Sequence, residues 1–273
     1  MLERFNYINH MNEALEFGKA KLFVNENDLR DFAWEITSKN GRISGFKKGI
    51  VTKTIPVIIK CDSIEEGIAL KNKLFEVTEK DVLSVKHGKI IIGDYYLKCF
   101  VTESSKKEYL VNKSYMQVTL KVSTDFPYWI KETKSIFNYG STEEEGDLDF
   151  NRDTPYDYSS NLIGKQLFNS NFVASNFRIN IYGGCINPQV NIGGHFYEVK
   201  TEIGANEYLT IDSVNKTIVL KKADGTTENL FNKRSRESYI FEKIPTGNLN
   251  VSANGIFSFE VILLEERGEP KWI

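Results

Sequence analysis

The residues that ordinarily carry chemistry are few in this chain and far apart. Its three histidines, His10, His87 and His195, and its three cysteines, Cys61, Cys99 and Cys185, have no partner at metal-ligand or nucleophile–base spacing. No HExxH, CxxC, P-loop, GxSxG or GxGxxG pattern occurs along the 273 residues. His195 follows Gly193-Gly194 and reads as an exposed turn residue opening a strand. Cys61 closes the run IPVIIKC and Cys99 lies in YYLKCFV, so both read as small strand residues, not reactive thiols.

The charged stretches carry no clearer chemistry. In EEEGDLDFNRD, Asp147, Asp149 and Asn151 match the first, third and fifth positions of a calcium loop. Arg152 stands where the sixth position needs Gly, and Tyr158 where the twelfth needs Glu, so an EF-hand is excluded and the run reads as a solvated linker. A glycosidase would need two carboxylates facing each other across a cleft, and no spacing nominates such a pair. Lys39, Arg42, Lys47 and Lys48 form a basic cluster, KNGRISGFKKG, but it lacks the interleaved aromatics of a single-strand nucleic-acid binder. Tyr182, Phe196, Tyr197, Tyr208 and Tyr239 could stack on sugars or pack within a core; the sequence leaves both open. The reading is therefore non-enzymatic, with no catalytic, cofactor-binding or metal residue nominated.

Composition sets the frame for these residues. Hydrophobic residues make up 41% and charged residues 26%, ordinary for a chain that buries a core. No apolar run approaches the roughly 20 residues of a membrane span. MLERFNYINHMNEALEFGKAK has no signal-peptide core, so folding in a cytoplasm is expected. Residues 1–124 hold 20 Lys+Arg against 16 Asp+Glu and residues 125–273 hold 15 against 21, an asymmetry too mild for a nucleic-acid footprint.

The elements that position these residues are mostly strands. Phe32–Ser38, Val51–Lys60 and Gln117–Ser123 are strand-like, the last alternating cleanly. One helix is expected near 62–80, started by Asp62 with Glu65 and packing through Ile64, Ile68 and Phe75 with Leu74 at the edge. Two turn signals, His87-Gly88 and Gly93-Asp94, then divide VLSVKHGKIIIGDYYLKCFVTES. Periodicity stops near 125–128, and the polar stretch after it reads as a connector over 131–161 between domains at 1–130 and 162–273.

The second half is strand and turn throughout. Glu207–Asp212 and Thr217–Lys221 alternate about SVNK, and Gly193-Gly194 joins Ile186–Ile192 to His195–Ile203. Asn254-Gly255 between Leu249–Ala253 and Ile256–Leu264 reads as a hairpin turn. Phe257, Phe259, Val261 and Leu263 form one apolar face. A mainly β protein is expected: an N-terminal β-sandwich or barrel-like domain with one packed helix, then a C-terminal antiparallel β-sandwich.

The order of these segments carries a resemblance. NGRISGFKKG, IPVIIK and DSIEEGIALKNKLFEVTEKD in the first half, then YGGCINPQVNIGG, NEYLTIDSVNKTIVL, IPTGNLNVSANG and PKWI in the second, resemble the distal tail proteins of long-tailed phages and prophages of Gram-positive bacteria. The resemblance covers nearly the whole chain and implies that the second domain is galectin-like. It further implies a baseplate component at the virion tail tip, assembled in the host bacterial cytoplasm, whose N-terminal domains form a hexameric ring. The implied partners are the tail-tube protein, the tape-measure protein and a tail-associated lysin or receptor-binding protein, with DNA only passing through the lumen, and neither membrane nor cofactor. The alternative is a carbohydrate-binding module engaging cell-wall sugars.

Overall fold

The apolar, β-branched run Val51–Lys60 forms the strand that its composition favours, buried at Ile55, Val57 and Ile59 and half-buried at Pro56 and Ile58 between them. The same logic builds most of the molecule. The structure, a computed structural model, describes residues 4–18, 21–24, 26–108, 113–138 and 165–272. The chain divides into two units, Met1–Lys131 with Glu266–Ile273, and Glu132–Glu265.

The first unit contains β1 (Phe5–Ile8), β2 (Ala14–Phe17), β3 (Leu22–Val24), β4 (Glu35–Lys39), β5 (Arg42–Lys47), β6 (Val51–Lys60), α1 (Ile64–Ser84), β7 (Gly88–Ile92), β8 (Tyr95–Lys107), β9 (Tyr115–Thr124) and the start of β10 (Trp129–Phe137). β2, β1, β7 and the first half of β8 form one antiparallel array, and β3, β6, β9 and the second half of β8 form another. β8 serves both because its register slips between Val101 and Glu103, and such a bulge bends and twists the strand. A single core lies within, centred on Tyr7, Leu15, Ile59, Leu97, Leu120 and Trp129. The N-terminal strands β1–β3 had no clear sequence signal, because each is three or four residues long.

The helix corrects the sequence reading in three ways. Its N-cap is Ser63, whose Oγ accepts from the Glu66 N–H at 3.1 Å, one residue later than the Asp62–Glu65 pair expected. It runs on through Val82, Leu83 and Ser84, and ends where Val85 takes a left-handed φ of 51°. Its buried residues are Gly67, Leu74, Val77, Thr78 and Asp81. Ile64, Ile68 and Phe75, the expected core face, are exposed.

The second unit holds the rest of β10, then β11 (Lys165–Asn169), β12 (Asn176–Tyr182), β13 (Cys185–Ile186), β14 (Gln189–Ile192), β15 (His195–Glu198), β16 (Glu202–Ile203), β17 (Tyr208–Asp212), β18 (Thr217–Lys221), β19 (Thr227–Asn229), β20 (Gly247–Ala253) and β21 (Phe259–Arg267), whose end belongs to the first unit. β19, β18, β17, β12, β21 and β10 lie side by side in that order, and β11, β20, β14 and β15 form a second sheet. Ile179, Ile181, Leu209 and Ile211 from the first, with Leu167, Val190, Ile192 and Val251 from the second, share one core, so the unit is a β-sandwich. In the 213–216 turn, Asp212 Oδ1 accepts from the N–H groups of Val214 and Asn215 at 2.9 Å each.

Two boundaries differ from expectation. Asn254-Gly255 is no hairpin turn: β20 and β21 belong to different sheets, and the Asn254 side chain binds the Gln189 N–H and the Asn187 carbonyl. The connector expected over 131–161 begins late, since β10 occupies Trp129–Phe137. The middle of that strand is exposed and charged, which hides its alternation. Residues 139–164, including the calcium-loop candidates Asp147, Asp149 and Asn151, lie outside the described residues.

Candidate assembly interface

The most distinctive feature of the first unit is a two-stranded arm, β4–β5, paired with no other described strand. Its turn is Asn40-Gly41, with φ of 53° and 73°, the left-handed pair that an Asn-Gly dipeptide supplies at least cost. The stretch KNGRISGFKKG, read from sequence as a basic connection, is thus mostly strand. Ile36 lies opposite Phe46 and Ser38 opposite Ile43, because the register shifts between Thr37 and Ser38. That bulge puts Ile43 and Phe46 on the same face as Ile36 although they are three residues apart. All three are about 60% exposed. An isolated two-stranded ribbon is marginal in water, so an arm that exposes three large apolar side chains on one face is built to be covered.

The base of the arm is held firmly. Lys48, just after β5, places Nζ 4.6 Å from the Trp34 ring centre and 4.5 Å from that of Tyr128, and donates to the Pro127 carbonyl at 3.1 Å. Burial, and then repulsion from Lys53, pull the Lys48 pKa below its ordinary value. Trp34 also meets Phe46 edge-on at 6.4 Å. Lys47 pairs with Glu35 at 3.2 Å, across the arm. Of the basic cluster, Lys39 and Arg42 at the tip remain for other work.

A second apolar surface lies on α1. Ile64, Ile68, Phe75 and Val82 follow one another at four- and seven-residue spacing, a single stripe, and each is between 42% and 55% exposed. On the flank nearer β2 and β3, a groove is floored by Leu15, Leu22, Ala69 and Leu70. Glu66 at its rim pairs with Lys21, which lowers the Glu66 pKa, so this acid is already engaged.

The histidines and cysteines are scattered, and the histidines are engaged. His10 Nδ1 and its N–H donate to Asp81 Oδ1 at 2.6 and 2.8 Å, and Tyr7 donates to Asp81 Oδ2 at 2.5 Å, a buried knot tying β1 to α1. His87 lies 2.8 Å from Asp125 Oδ1, and His195 Nε2 donates to the Tyr239 carbonyl at 2.9 Å, so His195 fastens a loop instead of idling in a turn. Burial raises the pKa of each cysteine, which keeps the thiols protonated and unreactive. Among the described residues no three His, Cys, Asp or Glu side chains cluster as metal ligands. Of the five candidate stacking rings, Tyr197 is fully buried, whereas Tyr182, Phe196 and Tyr239 are exposed. The arm and the stripe were missed from sequence because exposure of an apolar residue is decided by its neighbours; the Asn40-Gly41 turn between Ile36 and Ile43 was the available signal.

No protein-family model and no curated protein matches the sequence. Solved structures are similar over the full length. The crystal structure of the Dit protein of phage SPP1, described as a paradigm of the hub adsorption apparatus in Gram-positive infecting phages, has a TM-score of 0.58 at 11% identity, covering 96% of this chain and 99% of that one. A chain of the phage P2 baseplate in its activated conformation with calcium has a TM-score of 0.62 at 16% identity, covering 99% and 100%. The same baseplate with strontium gives 0.62 at 15% identity, covering 98% and 99%. The chain has the fold of phage hub and baseplate proteins from one end to the other.

Proposed function

We propose that this chain is a structural, non-enzymatic subunit of a phage tail tip, of the distal tail type. Six copies form a hub ring that joins the tail tube to a lysin or receptor-binding protein, while DNA passes through the lumen. The observation that carries the reading is the full-length fold likeness to hub and baseplate chains, in which neither chain leaves an unmatched domain. The exposed arm supports it. A ring of identical subunits uses head-to-tail contacts, which require two different surfaces on each copy. The arm face of Ile36, Ile43 and Phe46 and the α1 stripe of Ile64, Ile68 and Phe75 are two such surfaces, both apolar and both open. Apolar burial is then the main source of cohesion, with Lys39 and Arg42 left to meet acids such as Glu65.

Light scattering and electron microscopy on the full-length protein at high concentration test the proposal. The expected result is a hexameric ring that the Ile36→Ser/Phe46→Ser double variant reduces to monomer without loss of folding. A strictly monomeric protein, with no rings even beside its tail-tip neighbours, would sink it.

A further inference from the structure

The two outer faces of the second unit solve the problem of facing water in opposite ways. On the sheet that contains β12 and β21, outward side chains form ion pairs. Arg178 bridges Glu132 and Asp212 at 3.1 and 3.7 Å, and Lys134 pairs with Glu260. On the sheet β11-β20-β14-β15, the outward positions are amides and a hydroxyl: Gln166, Asn248, Asn250, Ser252, Asn191 and Gln189. No Lys, Arg or Asp stands among the outward strand positions, and Glu198 is the one acid. Gln166, Asn248, Asn250 and Ser252 are exposed, and their side chains make no hydrogen bond among the described residues. A large exposed ring stands on each edge strand, Phe168 at 61% and Phe196 at 44% exposure.

The register places these groups relative to each other. Phe168 lies opposite Asn248, Gln166 opposite Asn250, and Ser252 opposite Asn191, which in turn faces Phe196. Strand spacing and rise set the two rings about 20 Å apart on a diagonal across the amide field. Free amides both donate and accept, matching hydroxyl groups, which do the same. Flat rings at the ends suit the apolar face of a pyranose, and the near absence of charge disfavours an anionic partner.

We infer that the outer face of the β11-β20-β14-β15 sheet is a binding site for a neutral oligosaccharide, with Phe168 and Phe196 as stacking platforms and Asn248, Asn250 and Gln166 as hydroxyl ligands. The site lies wholly within the second unit and does not depend on ring formation. The test presents the full-length protein to an array of neutral oligosaccharides, with poly(glycerol phosphate) as the anionic counterpart, and follows the strongest binder by titration calorimetry. Saturable binding of a neutral glycan is expected. Phe168→Ala, Phe196→Ala and Asn250→Ala should each weaken it about tenfold, and Thr227→Ala on the other sheet should leave it unchanged. All four positions are exposed or at a strand edge, so circular dichroism should show the folded spectrum throughout. Absence of saturable binding to every neutral glycan overturns the inference. Binding that survives the triple variant, or a preference for the anionic polymer, does so equally.

Discussion

Glu260 shows how this protein handles a charge on a mostly β surface. Only 5% exposed, it sits on β21 and receives hydrogen bonds from Lys134 and from Asn180 at 2.6 Å. Burial alone would raise its pKa, but the bonds from Lys134, Asn180 and Tyr182 outweigh it and hold the carboxyl below its ordinary 4.5. The folded state therefore releases this proton more readily than the unfolded state does. The stability so gained is complete above the unfolded pKa and is lost as pH falls through the lowered folded one. Glu260→Gln should cost about 2 kcal/mol at neutral pH, because it leaves Lys134 without its partner. It should also flatten the acid limb of stability below pH 4.5. Denaturant titrations of both proteins between neutral and acid pH check this; parallel acid limbs would refute it. Tyr7 behaves differently, since burial first and its bond to Asp81 second raise its pKa, keeping the phenol a donor throughout the ordinary pH range.

At the scale of elements, α1 gives the sharpest contrast between pattern and packing. Leu74 and Phe75 are adjacent, yet the first is buried at 4% and the second 55% exposed. Leu74→Ala should then cost about 3 kcal/mol, whereas Phe75→Ala should stay within about 0.5 kcal/mol in the unassembled protein. Chemical denaturation of the dilute chain measures both, and equal losses would return Phe75 to the core. Gly67 explains why the helix turns this way. A Cβ there would collide with the backbone of Lys113 and Ser114, so the glycine side is where the helix lies tight against the segment leading into β9. The Lys71 ammonium adds hydrogen bonds to the carbonyls of Lys113 and Tyr115, at 2.9 and 3.0 Å, on the same side.

At the scale of the whole molecule, the first unit is discontinuous in sequence, and its last segment returns from the end of the chain. The domain expected over 162–273 thus loses its final residues to the first unit. Arg30 secures them: its guanidinium stacks 4.0 Å from the Trp272 ring centre and donates to the Pro270 carbonyl at 2.9 Å. Truncation after Arg267 should destabilise the first unit by about 1–2 kcal/mol and leave the second unchanged. Scanning calorimetry would show one transition moving down and the other staying in place. Movement of both together, or of neither, would contradict the division.

The sequence by itself determined the fold class, the strands β6, β9, β17 and β18 and the existence of one helix. Each of these follows from local composition and periodicity, and such information survives without neighbours. It did not determine which face of α1 is covered, because Ile64, Ile68 and Phe75 make as good an apolar stripe as the residues actually buried. Close approach at Gly67, and burial of Asp81 with Tyr7 and His10, chose the other face, and those partners are 46 to 74 positions away. Nor did it separate the two Asn-Gly pairs. Asn40-Gly41 closes a hairpin because β5 has β4 beside it, while Asn254-Gly255 turns a corner because β20 and β21 are claimed by different sheets. Local chemistry permits a turn; only the long-range pairing of strands decides what the turn connects.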